Sequence, residues 1–555
     1  MHPEIAELIG LTAAPIPAAV TAPPRDSASA GQPGGVSYDG SSVTENLALW
    51  QPQLRSADAD LLPEKYALDA RSRDMARNDA YVAGGAAVHK DNIVGAYYRL
   101  NARPQTKVLW GKEDEKWEAE FQEEVESKFT LWAESPSCWS DAARVNTLTE
   151  QVRLAIGVYT IGGEVLASAE WSPNDGRPFR TCVQMIDADR LSTPYDLVNL
   201  TEIRSGVERD RRGAPLAYHI RTTHPNDFDY RLTFLDAFKW KRVPARKPWG
   251  RQMILHVFEQ MRPDQTRGVA SMASALSEMR MMRAFRKVEL ERAVVAATYA
   301  ASIESDMPAG DVYTGMGAGG ENPAVAWMED YLEAIGQYTS NAKNIHMNGA
   351  KIPVFAPGTH LKIQNPGAAS PVGASFEQSL LRHIAASLGV GYEQLSKDYS
   401  QANYSSTRAS MSETWRSMQA RKKMVADKYA NFVYRLWMEE IVNANGLESL
   451  KRRNVPNFYD GLNGEAYTAC DWIGAGQGLI EPLKETQADI LALKAGLTTK
   501  DTVIARRTGA DWRAVSKQIA RELANDKNLD LPSVYEQDTQ DMENSLTASP
   551  QEANP

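Results

Sequence analysis

Cysteine is scarce in this chain of 555 residues: Cys138, Cys182 and Cys470 stand far apart. Such spacing excludes a paired-cysteine zinc site and argues against a disulfide framework, and it fits a reducing cytoplasm. Long apolar runs are missing too. The longest, Val294–Ile303, is about half of what a bilayer crossing needs, so no membrane span is expected. No basic segment followed by an apolar run marks a signal peptide. Nor is there a surplus of positive charge: 61 Lys and Arg against 71 Asp and Glu leave a net charge of −10. A protein that grips nucleic acid usually shows the opposite balance, because phosphate neutralisation supplies most of the affinity. A conduit through which a polyanion slides needs only weak contact, and composition does not choose between the two.

Catalytic motifs are equally sparse. The chain has no Gly-x-x-x-x-Gly-Lys-Ser/Thr phosphate loop, no His-Glu-x-x-His and no Gly-x-Ser-x-Gly. Its 8 histidines are scattered, none three or four residues from another. His256, on an apolar strand, reads as a satisfied core residue. Asp187 and Asp189 resemble a metal-binding pair, but they close a strand before a turn, where Asp is a common turn former. Glu481 and Glu485, one helical turn apart with Lys484 between them, read as a solvated face rather than an acid–base pair. No enzyme activity, cofactor or metal is expected.

What is present is ordinary for a folded protein: 43% hydrophobic and 24% charged residues. The length suggests roughly two to four globular parts. Residues 1–45 and 532–555 are polar or rich in Ala, Pro, Gly and Ser, and read as a disordered arm and tail. Helical character begins near Pro63, and a helix over 113–134 sets Trp117, Phe121, Val125, Phe129 and Trp132 on one face. From 150 to 260 short β-rich runs dominate. Val158–Ile161 and Glu164–Leu166 around Gly162-Gly163 suggest a hairpin, Arg212-Gly213 breaks another pair of runs, and Leu255–Phe258 closes the region.

Two long helices follow. The first, 269–303, lacks Gly and Pro and would span about 50 Å. Met272, Leu276, Met279, Leu290 and Val294 fall on one side of it, and Met281, Phe285, Val288 and Tyr299 on the other, as for a helix wedged between neighbours. Arg280, Arg283 and Lys287 line up on it at helical spacing. The second, 406–443, carries Trp415, Met418, Val425, Tyr429, Phe432, Leu436 and Ile441, and the basic run Arg421-Lys422-Lys423. Either basic group would be a solvated face in a monomer and a belt of charge in a ring. Between the helices, Ile352–Phe355 and His360–Ile363 read as short strands. Ser375 with Gln378 looks like a capping box opening a helix through Leu388, stopped by Gly389.

From Phe376 the chain reads Phe376-Glu377-Gln378-Ser379-Leu380-Leu381-Arg382, then Leu388-Gly389-Val390, Tyr392-Glu393-Gln394-Leu395-Ser396 and Tyr404-Ser405-Ser406. This is very similar to the signature of lambda-family phage portal proteins. Collinear stretches agree from Arg71-Ser72-Arg73-Asp74 through Gln265-Thr266-Arg267-Gly268 to Cys470-Asp471-Trp472-Ile473-Gly474 and Pro482-Leu483-Lys484-Glu485. The resemblance implies an α+β portal fold: long stem helices with a β-rich wing, an α/β clip insertion and a helical crown, assembled as a ring of about twelve subunits. Laid on this chain, 46–267 is the N-terminal wing, 268–303 the stem helix, 304–373 the clip and 374–390 the second stem helix. Residues 391–405 are the tunnel loop, 406–470 the wing helix and return, and 471–531 the crown.

The implied function is passage, packaging, retention and ejection of double-stranded DNA at one capsid vertex of the virion, after assembly in the host cytoplasm. The implied partners are the terminase large subunit, a head-completion or adaptor protein, and the major capsid and scaffolding proteins. The expected DNA-contacting residues are Gln394, Lys397, Tyr399, Gln401, Asn403 and Tyr404 of the tunnel loop, with Arg280, Arg283 and Lys287 as possible channel-lining cations. A loop of that length between two helices is more often functional than a mere connector. Competing classes are a metal-dependent nuclease built on Asp187 and Asp189, and a capsid shell or scaffolding protein.

Overall fold

The computed structural model describes residues 49–173, 175–225, 239–299, 371–400, 403–451, 453–478 and 481–529, with 531 and a few positions between 333 and 352. The arm 1–45, the tail 532–555 and, apart from Ile352, the expected strands Ile352–Phe355 and His360–Ile363 lie outside the described residues.

Helices α1 (Ala57–Asn78) and α2 (Ala80–Ile93) open the structure, joined by Asp79, whose carboxylate accepts from the Tyr81 and Val82 amides. Strand β1 (Arg99–Ala102) precedes α3 (Glu115–Ala133), where the five aromatic and aliphatic residues expected on one face are all buried. Helix α4 (Leu148–Gly162) replaces the hairpin expected around Gly162-Gly163. Its start is a reciprocal capping box between Thr147 and Glu150, and Gly163 ends it at φ +79°. Val158–Ile161 therefore continues a helical stripe, and the paired glycines are a helix stop. Residues 57–162 are mostly helical, and the strands gather after them.

Strands β2 (Glu164–Trp171) and β3 (Thr181–Ile186) come first, followed by β4 (Ile203–Arg204), β5 (Val207–Arg209), β6 (Pro215–Arg221), β7 (Trp240–Pro244) and β8 (Ile254–Phe258). They form two sheets, ordered β3-β2-β8 and β4-β5-β6-β7, antiparallel throughout. The break expected at Arg212-Gly213 is the β5–β6 turn.

After a 3₁₀ turn at Ser271–Ala275 comes α5 (Leu276–Tyr299). Strands β9 (Ile345–Met347) and β10 (Ala350–Ile352) pair with each other. Helix α6 (Pro371–Leu388) begins a turn before the expected Ser375–Gln378 cap, with Pro371 as its first residue, and ends at Gly389 with φ +69°. A proline at the first helical position loses nothing there, so the start lies upstream of the serine. Helices α7 (Tyr392–Ser396), α8 (Tyr404–Arg421) and α9 (Asp427–Asn443) follow, the last two continuous through a π turn at Lys422–Ala426. Strand β11 (Cys470–Ile473) pairs antiparallel with β1, and α10 (Pro482–Lys494), α11 (Lys500–Thr508) and α12 (Trp512–Asn528) are the last described helices. No described helix is long and apolar enough to cross a membrane.

The core is aromatic where α3 meets α9. Phe129 lies 5.2 Å from Trp437 and 5.3 Å from Tyr434, both edge-on, and Trp132 stacks on Trp437 at 6.2 Å. Trp472 of β11 joins at 6.0 Å from Phe129. Each ring buried this deeply contributes a few kcal/mol.

A second buried centre is ionic and fixes the approach to α5. Arg267 clasps Glu164 with two nitrogens, at 2.9 and 2.6 Å, and reaches the carbonyls of Leu191 and Ala188. Lys65 of α1 lies 3.1 Å from Glu164 and donates to the Gly268 carbonyl. His256, read as a satisfied core residue, bonds Glu164 at 3.0 Å. Burial opposes charge on Glu164, yet Arg267, His256 and Lys65 hold its carboxyl well below the usual range. Here Gly163 and Gly268 touch backbone to backbone: a Cβ on Gly268 would lie 2.2 Å from the Gly163 oxygen. Charge pairing and close approach together set where α5 departs from the sheet.

Candidate functional site

Helices α5 and α6 pack side by side. Phe285 meets Phe376 edge-on at 5.4 Å, and Arg286 pairs with Glu377 at 2.8 Å while lying 4.3 Å from the Tyr81 ring centroid. The start of α5 and the 3₁₀ turn before it are anchored by buried Met272, Leu276, Met279 and Met282. Other apolar residues of the helix are uncovered: Met281, Val288, Leu290 and Val294 are each more than half exposed, at 55, 59, 67 and 53%. The two-sided apolar character expected of this helix is thus real, and one chain satisfies only part of it.

Helix α6 stops at Leu388, whose carbonyl would be an orphan of the last turn. His89 and Arg421 take it up, from 3.0 and 3.1 Å. With Nε2–H donated to that carbonyl, the His89 Nδ1 accepts from Arg421 at 3.1 Å. Burial, then the neighbouring guanidinium, pushes the His89 pKa down to about 3, so the ring is neutral.

The chain then turns through Val390 and Gly391 into α7, so the expected open loop 391–405 contains a helical turn. Gln394 is spent on it: its Oε1 accepts the Gly391 amide at 3.4 Å. Lys397 ends the turn in the left-handed region at φ +59°, exposed, with no carboxylate within ion-pair distance among the described residues. Asp398, fully exposed, accepts from both the hydroxyl and the amide of Ser400, and those hydrogen bonds lower its pKa. Tyr399 is half exposed. Asn403 caps α8, its Oδ1 accepting the Ser406 amide at 2.8 Å. Gln401 and the Tyr404 side chain lie outside the described residues. Of the six residues expected here, Lys397 and Tyr399 are displayed, and Gln394 and Asn403 hold the turn.

The other basic residues divide. Arg283 has Asp74 at 3.9 Å and Lys287 has Glu291 at 3.8 Å, while Arg280 lines an apolar groove beside Arg71, Asp74 and Met281. They are not a single row of free cations. The run Arg421-Lys422-Lys423 is not a solvated face either. Arg421 is half-buried and donates to the Leu388 carbonyl, and Lys422 donates to Asp427 and to the Trp472 carbonyl. Only Lys423 reaches solvent.

Asp187, Asp189 and His224 come close enough to hold a cation, their ligand atoms within 4.8 Å of one another. Arg73 already occupies that role, with Asp187 at 3.1 Å and Asp189 at 2.5 Å. Although burial works against its charge, the two carboxylates keep this guanidinium more basic than usual. Asp187 also caps the turn Ala188–Arg190, as expected of a turn former. Glu481 pairs with Lys484, but Glu485 is buried against Arg507 at 2.7 Å, which corrects its reading as part of a solvated face.

Periodicity missed the clamps Arg286–Glu377 and His89–Arg421, because each joins residues far apart in sequence. The only local signal was that a basic residue stood at a helical position otherwise facing inward.

The family model described as "Phage portal protein, lambda family" matches residues 44–422. Portal protein B of Escherichia phage lambda is 33% identical over 484 residues, covering 87% of this chain and 88% of that protein. The portal protein of Escherichia phage N15 is 33% identical over 473 residues, covering 85% and 87%. Among solved structures, a chain from the neck of an empty GTA particle superposes with a TM-score of 0.36 at 13% identity, over 78% of this chain and 92% of that one.

Proposed function

The chain belongs to the lambda family of phage portal proteins, virion proteins with a structural rather than an enzymatic role, and from that premise we propose that it closes into a ring of about twelve copies around a channel for double-stranded DNA. The observation that carries the ring is that α5 leaves apolar residues uncovered on both of its sides, Met281 and Val288 on one and Leu290 and Val294 on the other. A helix that belongs to one monomer needs a single apolar stripe; a second one calls for a neighbouring copy.

In this reading α5 and α6 are the stem, 304–373 the clip, 46–267 with 406–470 the wing, and 471–531 the crown. The turn between α6 and α8 is the tunnel loop. It presents Lys397 and Tyr399 to the DNA while Gln394 and Asn403 hold its shape. One ammonium per subunit holds phosphate feebly, and repeated around a ring it becomes a belt that follows a sliding backbone without trapping it. The terminase would dock at the clip during packaging and a head-completion protein would replace it. The vertex ring would contact the major capsid and scaffolding proteins.

Two measurements test this. Light scattering of the purified protein should give a mass near that of about twelve chains, and a monodisperse monomer at micromolar concentration overturns the ring. Lys397→Ala with Tyr399→Ala should leave assembly intact and lower the DNA packaged or retained. Wild-type packaging and retention in that variant would remove the tunnel-loop assignment.

A further inference from the structure

The segment Lys239–Arg251 carries six cations, Lys239, Lys241, Arg242, Arg246, Lys247 and Arg251, and no carboxylate, in a chain whose net charge is −10. Its first part is β7, the outer strand of its sheet among the described residues. The neighbouring β6 adds Arg221, whose guanidinium lies 5.1 Å from the Trp240 ring centroid. Between this sheet and the β3-β2-β8 sheet runs a cleft of about 350 Å³. Five cations line it, Arg190, Arg221, Lys241, Arg242 and Lys247, against a single carboxylate, Glu170.

Part of this charge is already engaged. Glu208 holds Arg242 at 2.8 Å and Glu439 holds Arg251 at 2.9 Å. Arg190 donates to the carbonyls of Arg221 and Thr222. Lys241, Arg246 and Lys247 have no carboxylate within ion-pair distance among the described residues. Lys241 and Arg246 are exposed, and Lys247 lies 5.9 Å over the exposed ring of Trp249. Cations gathered this way repel one another and create a local positive potential that the acidic remainder of the chain does not cancel at short range.

We propose that this face of the β-rich region is a second nucleic-acid contact, outside the channel, which takes the phosphate backbone of duplex DNA without regard to sequence. It goes beyond the channel reading and does not depend on the turn around Lys397. The chemistry favours DNA over an acidic protein. The core of a protein–protein interface is depleted of charge, whereas protein–DNA interfaces are far more positive and tolerate polar, wet clefts. Long Lys and Arg side chains on an outer strand reach phosphate oxygens, and such contacts carry no sequence information. In a filled particle this face would steady the DNA layers nearest the ring, work for which weak, repeated contacts suffice.

The test uses the full-length assembled protein and a relaxed, covalently closed circular duplex, which cannot thread a closed channel. The circle should be retained at about 50 mM salt, and for three phosphates engaged per patch its affinity should fall about forty-fold by about 200 mM. The triple variant Lys241→Glu, Arg246→Glu, Lys247→Glu should lose retention at least ~10-fold and flatten the salt slope by about three, with particle mass and melting temperature unchanged. Failure of the wild type to retain the circle at low salt, or wild-type retention by the triple variant, overturns the proposal. If the substitutions abolish binding of capsid shell protein while circle binding is untouched, the patch is a protein dock and the DNA assignment falls. Should sizing reveal no ring, the channel reading fails, and the circle assay still decides the patch.

Discussion

The α3–α9 core and the last three helices hold together by opposite means. Around α9 the buried set is almost wholly apolar, with Tyr429, Phe432, Val433, Tyr434, Leu436, Trp437, Met438, Ile441 and Val442 all inside. In α10 the only buried residues are Glu485 and Asp489, and α11 and α12 bury none. There the ties are ionic: Arg507 bridges Glu485 and Asp489, both at 2.7 Å, and Arg506 adds a bond to Asp489 at 2.6 Å. Lys517–Glu123 and Arg103–Asp501 fasten the group to the rest of the fold. Meanwhile Leu483, Leu491 and Leu497 stand 68, 63 and 81% exposed. A core made by apolar burial is complete within one chain. Helices held by ion pairs and showing leucines to solvent have the composition of a part finished by its neighbours, as a ring would supply.

That contrast can be broken or sharpened by substitution. The largest effect is expected where ions are buried around Glu164. Glu164→Ala strands Arg267 and Lys65 without their carboxylate and should cost about 3–5 kcal/mol, read as a large drop in the denaturation midpoint. A loss under ~1 kcal/mol would mean that water enters the site and that it is no drier than the C-terminal helices.

His89 is next. Its folded pKa is about 3 against an ordinary value of 6.5, so below that ordinary value the unfolded chain binds a proton that the folded one refuses. Stability should therefore be fully present above pH 6.5 and decline as pH falls toward 3, by on the order of 1 kcal/mol per pH unit. His89→Gln should flatten that part of the stability–pH curve. An unchanged slope would show that the ring is protonated in the fold.

Smaller still is the expected effect of Asp489→Ala, about 1–2 kcal/mol. It should appear as faster amide exchange confined to α10–α12. Exchange spreading into α9 would erase the distinction between the two regions. Smallest in a dissociated chain is Leu491→Ala, within about 0.5 kcal/mol. The same change should weaken an assembled ring measurably, and equal, negligible effects in both states would argue that no neighbour covers this leucine.

Much of this was legible in the sequence. The face Trp117, Phe121, Val125, Phe129, Trp132 declared α3 because a helix repeats every 3.6 residues and nothing local opposed it. The long helix ending at Asn443 and the stop at Gly389 were equally plain. The Gly162-Gly163 pair misled because a helix stop and a hairpin turn both want a residue at positive φ; the capping box at Thr147 and Glu150, a full helix upstream, was the deciding signal. Charge was hardest to read. Arg421, Glu485, Lys422 and Arg73 look in sequence like solvated residues, and each is consumed by a partner at a distance.

Local chemistry thus determined the elements, the collinear family signature and the displayed Lys397 and Tyr399, since helical period, capping and turn preference act over a few residues. Only the tertiary structure decided which charges remain free to meet a partner. Ion pairing and burial join residues such as Lys65 and Glu164 or His89 and Arg421, whose meeting depends on how helices and sheets pack, and no spacing along the chain encodes it.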